Sequence, residues 1–457
     1  MSEFEKMGSA DVAWLRMDEP NNLMIINSVL MFEEPLTTEV LNKLLEQRLL
    51  IYPRFRQKVV KTQVKFVWQD DENFLLDNHV QVHELEQNED KETALKSLIS
   101  QMMNQPLDPS RPLWKATLVQ NYGTTGSALI LRIHHCLADG IALVGVLLSL
   151  TDEKPGMAPT HTVLPEFSLN ASEPLVNNLN DVIPVFKRLA HRTFKTLTNP
   201  GEMARVLNLS WRFFLALIKV LFLWPDTFTP LKGNLSGEKK VAWSNPIPVA
   251  KFKEAGNTLD AKINDLAIAA ATGSIQRYFK KHAYPYVGKN VRVVVPVNLR
   301  PMEEFSQMGN RFGVIFLPLP IGVESPGERL EEVKRRMNRI KSSLEAVVSF
   351  GMLQFLGKVP HLIQRLMIFI FSLRGTAVLT NVPGPKSEIF LADIPLSKIM
   401  FWVPQSGNIG IGLSILSYGG NILFGVVSDT SLIQEPDEIA KGFEEEIEAL
   451  YQLSPGA

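Results

Sequence analysis

Alternating strand-like and helix-like periodicities predict an α/β fold for this 457-residue chain. Short apolar runs of strand length recur along it, for example from Asn27 to Phe32, Leu113 to Val119, Ala128 to Ile133 and Val291 to Val297. Between such runs lie segments with apolar residues three and four apart, the spacing of one helical face. The length suffices for two domains or two lobes.

In chain order, the strand from Asn27 to Phe32 leads to a helix beginning near Thr37, whose Val40, Leu41, Leu44, Leu45 and Leu49 share a face. Pro106-Leu107-Asp108-Pro109 interrupts the chain before the strand from Leu113 to Val119. Tyr122-Gly123 and Gly126 mark the turn into the next strand, Ala128 to Ile133. The apolar stretch from Ile141 to Leu150 then reads as a buried helix. From Asp152 to about Phe167, Pro, Gly, Thr and charged residues predict a linker. A basic helical stretch follows, roughly Leu175 to Trp224, including Lys187, Arg188, Arg192, Lys195, Arg205, Arg212 and Lys219. Its apolar, aromatic end suits either a membrane interface or a helix packed between lobes.

A second lobe is expected from about Lys239, with a helix from Asn264 to Lys280 and strands from Val291 to Val297 and Val314 to Ile321. Leu330, Val333, Met337, Ile340, Leu344 and Val347 predict one amphipathic helix. Its basic face is either solvated or a place for acidic lipid or phosphate. The apolar run from Leu362 to Leu373 is shorter than the ~20 residues needed to span a bilayer. Gly419-Gly420 between two apolar runs predicts a hairpin, because primed turns need positive φ. A last helix runs from Asp437 to about Tyr451. The expected organisation is a lobe at 1–154, a crossover at 155–238 and a lobe at 239–457.

The chemistry concentrates at His134-His135-Cys136-Leu137-Ala138-Asp139-Gly140. A strand delivers two imidazoles into a turn that opens a helix. A positioned imidazole is a natural general base near neutral pH. Successive strand side chains point to opposite faces, so only one of the two can readily serve a given site. A structural pair at a strand end is the plainer alternative. A metal site lacks further ligands at suitable spacing beyond Cys136. Gly140 is expected to allow unusual dihedrals or close approach, and Asp139 to fix the turn. Cys136 reads as a small buried residue rather than a nucleophile.

HHCLADG resembles the HHxxxDG signature of the acyltransferase superfamily that includes chloramphenicol acetyltransferase, plant HxxxD acyltransferases, condensation domains and wax ester synthases. Further strings resemble one branch, the bacterial wax ester synthase/diacylglycerol acyltransferases. They are Pro112-Leu113-Trp114, Asn264-Asp265, the run from Val295 to Arg300, Gly309-Asn310-Arg311-Phe312, and Asn381-Val382-Pro383-Gly384-Pro385. They occur in family order and span nearly the whole chain. Cys136 stands where alanine is common and Thr380 where serine is frequent; both replacements are small. The N-terminal opening and the segment from 155 to 240 match less well, which leaves the acceptor open.

The resemblance implies two α/β lobes of the chloramphenicol acetyltransferase type, with mixed sheets flanked by helices and a tunnel between them. It implies transfer of a long-chain acyl group from acyl-CoA to a fatty alcohol and/or a diacylglycerol, without a covalent acyl-enzyme. Carried over residue by residue, His135 is the general base and His134 its structural neighbour. Asp139 and Gly140 belong to the turn, with Arg300 as the partner of Asp139. Asn264, Thr380 and Asn381 are candidates for oxyanion or substrate positioning, or else serve turns and caps. Trp114 either walls the acyl channel or packs in the core. No metal and no cofactor beyond the co-substrate acyl-CoA is implied. A condensation enzyme fed by carrier-protein thioesters and a non-catalytic lipid-binding relative are the alternatives.

Composition agrees with such a chain. With 45% hydrophobic residues and a formal net charge of −1, it is globular and has no electrostatic pull toward nucleic acid. A single cysteine excludes an internal disulfide and fits a reducing cytosol. The opening residues have no apolar signal-peptide core. A cytoplasmic protein, peripheral at a membrane or lipid-droplet surface, is expected.

Overall fold

Strands with apolar residues on both faces need cover on both sides, and this chain supplies it by stacking two sheets and their helices. The computed structural model describes residues 4–63, 65–86, 90–156, 208, 211, 214–220, 222–299, 310, 312–341 and 344–453. The first lobe contains β1 (Glu5–Lys6), α1 (Ser9–Met17), β2 (Ile25–Phe32), α2 (Thr38–Leu44), β3 (Gln57–Lys61), β4 (Phe66–Asp70) and β5 (Val80–Glu84). It continues with α3 (Lys91–Met103), β6 (Trp114–Tyr122), β7 (Gly126–His134) and α4 (Gly140–Ser149). Beyond the crossover lie β8 (Lys239–Trp243), β9 (Ile247–Pro248), α5 (Val249–Thr258), α6 (Ile263–Lys281), β10 (Val291–Asn298) and β11 (Phe312–Leu319). Then come α7 (Pro326–Lys341), α8 (Glu345–Leu356), α9 (His361–Ser372), β12 (Ala377–Pro383), β13 (Phe390–Leu391) and β14 (Ile394–Trp402). The chain closes with β15 (Ile411–Tyr418), β16 (Asn421–Asp429) and α10 (Asp437–Tyr451).

One sheet has the order β13-β14-β2-β7-β6-β5, and the other β11-β10-β12-β15-β16-β8 with β9 beside β16. A small third sheet, β1-β4-β3, lies in the first lobe. The histidine strand β7 is central, antiparallel to both β2 and β6. All its residues are buried. Ala128 and Ile130 join Trp243, Met400, Trp402, Leu423 and Val427 in a core between the two sheets. Leu129, Leu131 and Ile133 join the opposite core, within the first lobe. The strict alternation of β7 therefore ties the site to both lobes.

Two expectations need correction. Residues 390–402, assigned by sequence to the second lobe, form β13 and β14 of the first sheet, with Trp402 opposite Asn27 on β2. β2 would otherwise be an edge with unpaired backbone groups, and the returning strand satisfies them. The single helix expected through Val347 is two helices, α7 and α8. The Ser349 hydroxyl accepts the Val314 N–H of β11 at 2.7 Å, which holds α8 on that strand. Gly313 allows the approach, since a Cβ there would lie 1.8 Å from the Ala346 carbonyl oxygen.

The hairpin forms as expected, with φ of +55° at Gly419 and +78° at Gly420. On α7, Lys334 pairs with Glu331, and Arg335 and Arg336 share Glu332, so part of its basic face is compensated within the helix. Most of the basic crossover expected from Leu175 to Trp224 lies outside the described residues. Its described helical part packs Ala216 and Val220 against Leu344 and Val348. Among the described residues no helix is long and apolar enough to cross a membrane.

Candidate active site

β7 ends at the histidine pair, and backbone bonds on both flanks pin it. The His134 N–H donates to the Leu113 carbonyl at 3.0 Å, and the His135 N–H to the Met24 carbonyl at 2.7 Å. The chain then turns through Cys136, Leu137 and Ala138 into α4. Asp139 caps that helix, accepting the Ala142 N–H at 2.9 Å.

The two imidazoles diverge. Nδ1 of His134 accepts the Cys136 N–H at 3.1 Å, and its Nε2 lies 3.7 Å from the Asp18 carboxylate. The His135 ring instead stacks on Trp14, with centroids 4.0 Å apart and an interplanar angle of 17°. Phe312 adds a tilted contact at 5.6 Å. Enclosure pushes the His135 pKa down to about 4, chiefly by desolvation and slightly by His134. Its own carbonyl, the Asp139 carboxylate and the Asn310 side chain oppose that shift. The result is a neutral imidazole at pH 7. Burial also pushes the Cys136 thiol up, so it is a protonated core residue.

Gly140 begins α4 without a positive φ, and a Cβ there would meet nothing within 4 Å. The unusual backbone expected at this glycine is absent; what it leaves beside the turn is open space. Trp114 is fully buried, donates its indole N–H to the Phe55 carbonyl at 2.9 Å and stacks on His79 at 4.6 Å. The ring packs in the core of the first lobe.

Asn264 at the start of α6 accepts from the Asn381 amide at 2.5 Å, so two distant sequence motifs meet. Thr380 points the other way, into the sheet, with its hydroxyl beside the Leu413 carbonyl (3.4 Å) and Ser414 (3.3 Å). None of these three hydrogen-bonds to His135. Arg300, the expected partner of Asp139, lies outside the described residues. No group of three or more His, Cys, Asp or Glu side chains among the described residues is arranged to hold a metal ion.

The immediate neighbours of His135 include residues to which the sequence assigned no role. Trp14 and Asp11 stand on α1, one turn apart. Asn310 donates to the His135 carbonyl and to Asp11, both at 2.9 Å. Asn310 lay within a recognisable motif; nothing marked Asp11 or Trp14, because their proximity exists only when α1 crosses the end of β7.

Comparison with known proteins agrees with this architecture. The chain matches the wax ester synthase/diacylglycerol acyltransferase catalytic domain over residues 7–267 and the corresponding C-terminal domain over residues 308–451. It is 24% identical over 401 residues to a probable diacylglycerol O-acyltransferase, tgs1, of Mycobacterium tuberculosis, covering 85% of this chain and 81% of the relative. Its fold is similar to a wax ester synthase/diacylglycerol acyltransferase from Marinobacter aquaeolei VT8, with TM-score 0.68, 16% identity and coverage of 98% and 99%. It is also similar to the starter condensation domain of rhizomide synthetase in complex with C8-CoA, with TM-score 0.57, 11% identity and coverage of 98% and 94%. The catalytic-domain match alone spans more than half the sequence, and the chain therefore belongs to the wax ester synthase/diacylglycerol acyltransferase family of acyl-CoA-dependent O-acyltransferases.

Proposed function

We propose that the protein transfers a long-chain fatty acyl group from acyl-CoA to the hydroxyl of a fatty alcohol and/or a diacylglycerol, with His135 as general base. The observation that carries this reading is the buried, neutral imidazole of His135 in the turn between β7 and α4, a turn in which a Cβ on Gly140 would meet nothing within 4 Å. The imidazole takes the acceptor's proton as its oxygen attacks the thioester carbonyl. The tetrahedral intermediate collapses by breaking the C–S bond, and the imidazolium returns the proton to the departing thiolate. Stacking on Trp14 and the nearby Asp139 carboxylate favour the transient imidazolium. The chain's only cysteine is buried and protonated, which supports direct transfer over an acyl-cysteine intermediate.

Apolar side chains near the site support a lipid surface as the source of acceptor. On α9, Leu362 is 79% exposed, and Leu366 and Phe369 are also exposed. Trp224 and Phe228 expose further apolar area. The inner face of α9 holds α1 through a 2.9 Å bond from the Gln364 amide to the Ala13 carbonyl. That helix carries Trp14, so a lipid-facing helix lies one element away from His135. Flotation with phospholipid vesicles is expected to recover the protein with the lipid, and to lose it for Leu362→Asp/Leu366→Asp. Failure of wild type to float removes this part of the reading.

The catalytic reading is tested by incubating wild type and His135→Ala with labelled palmitoyl-CoA and a mixture of hexadecanol and diacylglycerol. Wild type should form ester, the product reporting the acceptor, and His135→Ala should form none while still binding palmitoyl-CoA. Turnover by His135→Ala near the wild-type rate would sink the mechanism. Activity only with carrier-linked thioesters would move the protein to a condensation-type reaction.

A further inference from the structure

α1 lays Trp14 over His135, yet the helix itself packs against the α8–α9 hairpin. Gly357, between those two helices, closes on the start of α1, where a Cβ would lie 1.7 Å from the Ser9 carbonyl oxygen. Three bonds continue the attachment. The Gln364 amide donates to the Ala13 carbonyl at 2.9 Å, Arg16 donates to the Val359 carbonyl at 3.0 Å, and Arg365 pairs with Glu19 at 3.1 Å. Toward the base the contact is of another kind. The Trp14 indole N–H is buried without a partner, so the ring rests on the imidazole by stacking alone. It can leave His135 without breaking a hydrogen bond.

The opposite side of the hairpin is apolar. Leu362, Ile363, Leu366, Phe369 and Ile370 form one stripe along the outer face of α9, each at least 41% exposed. The segment bearing Trp224 and Phe228 continues it, because the Asp226 N–H donates to the Leu373 carbonyl at 2.9 Å where α9 ends. α9 carries no acidic residue, and the exposed charges beside the stripe, Lys358 and Arg365, are cationic. An apolar stripe with tryptophan at its end and cations at its rim matches the surface of an anionic phospholipid layer.

We propose that α1, α8 and α9 form one cover over His135, and that an anionic lipid surface lifts it by engaging the outer stripe of α9. This rests on the lipid-surface reading above and adds that the surface sets the turnover rate, beyond supplying the acceptor. Lipid buries the stripe more fully when the hairpin moves outward, which is the differential contact needed to shift the cover. α1 follows through its bonds to Gln364, Val359 and Arg365, and pivots where Asp11 meets Asn310. The indole then slides from the imidazole, and the acceptor hydroxyl reaches the base.

Substrates that do not partition into lipid separate supply from turnover. Wild type is given hexanoyl-CoA and butanol, with and without vesicles of phosphatidylcholine and phosphatidylglycerol, at low salt. It should float with the vesicles, and kcat should rise at least about fivefold, the low end of ordinary coupling between sites. Amide exchange in residues 9–17 should quicken at the same time. Supply alone would lower KM for long-chain substrates and leave this kcat unchanged. Gln364→Leu should float yet lose most of the rise, whereas Leu362→Asp/Leu366→Asp should lose flotation and rise together. Should Gln364→Leu fail to fold, Arg16→Met, which removes the bond to Val359, replaces it.

Exchange in α1 needs no turnover, so it decides the matter even where short substrates react slowly. A wild type that floats with unchanged exchange and kcat overturns the cover and leaves the surface as a source of acceptor. A folded Gln364→Leu with the full rise overturns transmission through α1. Equal flotation with phosphatidylcholine alone overturns the choice of an anionic surface. A wild type that does not float overturns the lipid-surface reading itself.

Discussion

His135 is neutral at pH 7 because Trp14, Phe312 and the ends of two strands remove the water an imidazolium needs. Its pKa of about 4 lies below the ordinary ~6.5. Between these values the unfolded chain binds the proton and the folded chain does not. This residue therefore contributes stability above pH ~6.5 that is lost as pH falls through about 4. The acid limb of kcat/KM is expected closer to 4 than to 6.5, and a pH–rate profile with its midpoint at 6.5 would show a hydrated imidazole instead. Gly140 supplies a second expectation. A Cβ there would meet nothing within 4 Å, so Gly140→Val should fold normally yet lower kcat/KM for acyl-CoA at least about tenfold, equivalent to about 1.4 kcal/mol. Unchanged kinetics would mean the open space is not on the substrate's path. His135 was legible because its motif is a contiguous string. Asp11 and Trp14 were not, because no local pattern records which helix will cover a strand end.

Helix starts and turns follow local rules, and here they were mostly readable. Thr37, near which the sequence placed a helix start, caps α2 by accepting the Val40 N–H at 3.3 Å. Asp139 does the same for α4. Asp139→Ala should lower unfolding free energy by about 0.5–2 kcal/mol from the lost cap alone, measured by denaturant titration; no change would show that other groups hold the turn. The paired glycines of the β15–β16 hairpin are equally local. The break between α7 and α8 was hidden, because apolar positions continue through Leu344, Ala346 and Val348. No proline or glycine stands between the two helices, and the hydrogen bond from β11 to Ser349 holds α8 on that strand.

Over the whole molecule, long-range pairs fasten what the local rules build. Arg329 and Glu446 form a buried ion pair between α7 and α10. Gln276 accepts from Arg329 at 2.8 Å, and Arg277 donates to Glu446 at 2.6 Å. Gly273 makes room, since a Cβ there would lie 2.2 Å from a Glu446 oxygen. Glu446→Ala should cost about 3–5 kcal/mol by stranding the Arg329 charge. A melting temperature equal to wild type would mean water reaches that guanidinium.

By itself the sequence determined the alternation of elements, the histidine turn and the branch of acyltransferases to which the chain belongs. These are encoded in residues that are neighbours along the chain. Only the tertiary structure decided that β14 returns to complete the first sheet, that Asn264 meets Asn381, and that Asp11, Trp14 and Asn310 enclose His135. Those contacts join residues more than a hundred positions apart, brought together by burial of both faces of β7 and by backbone groups that must find partners.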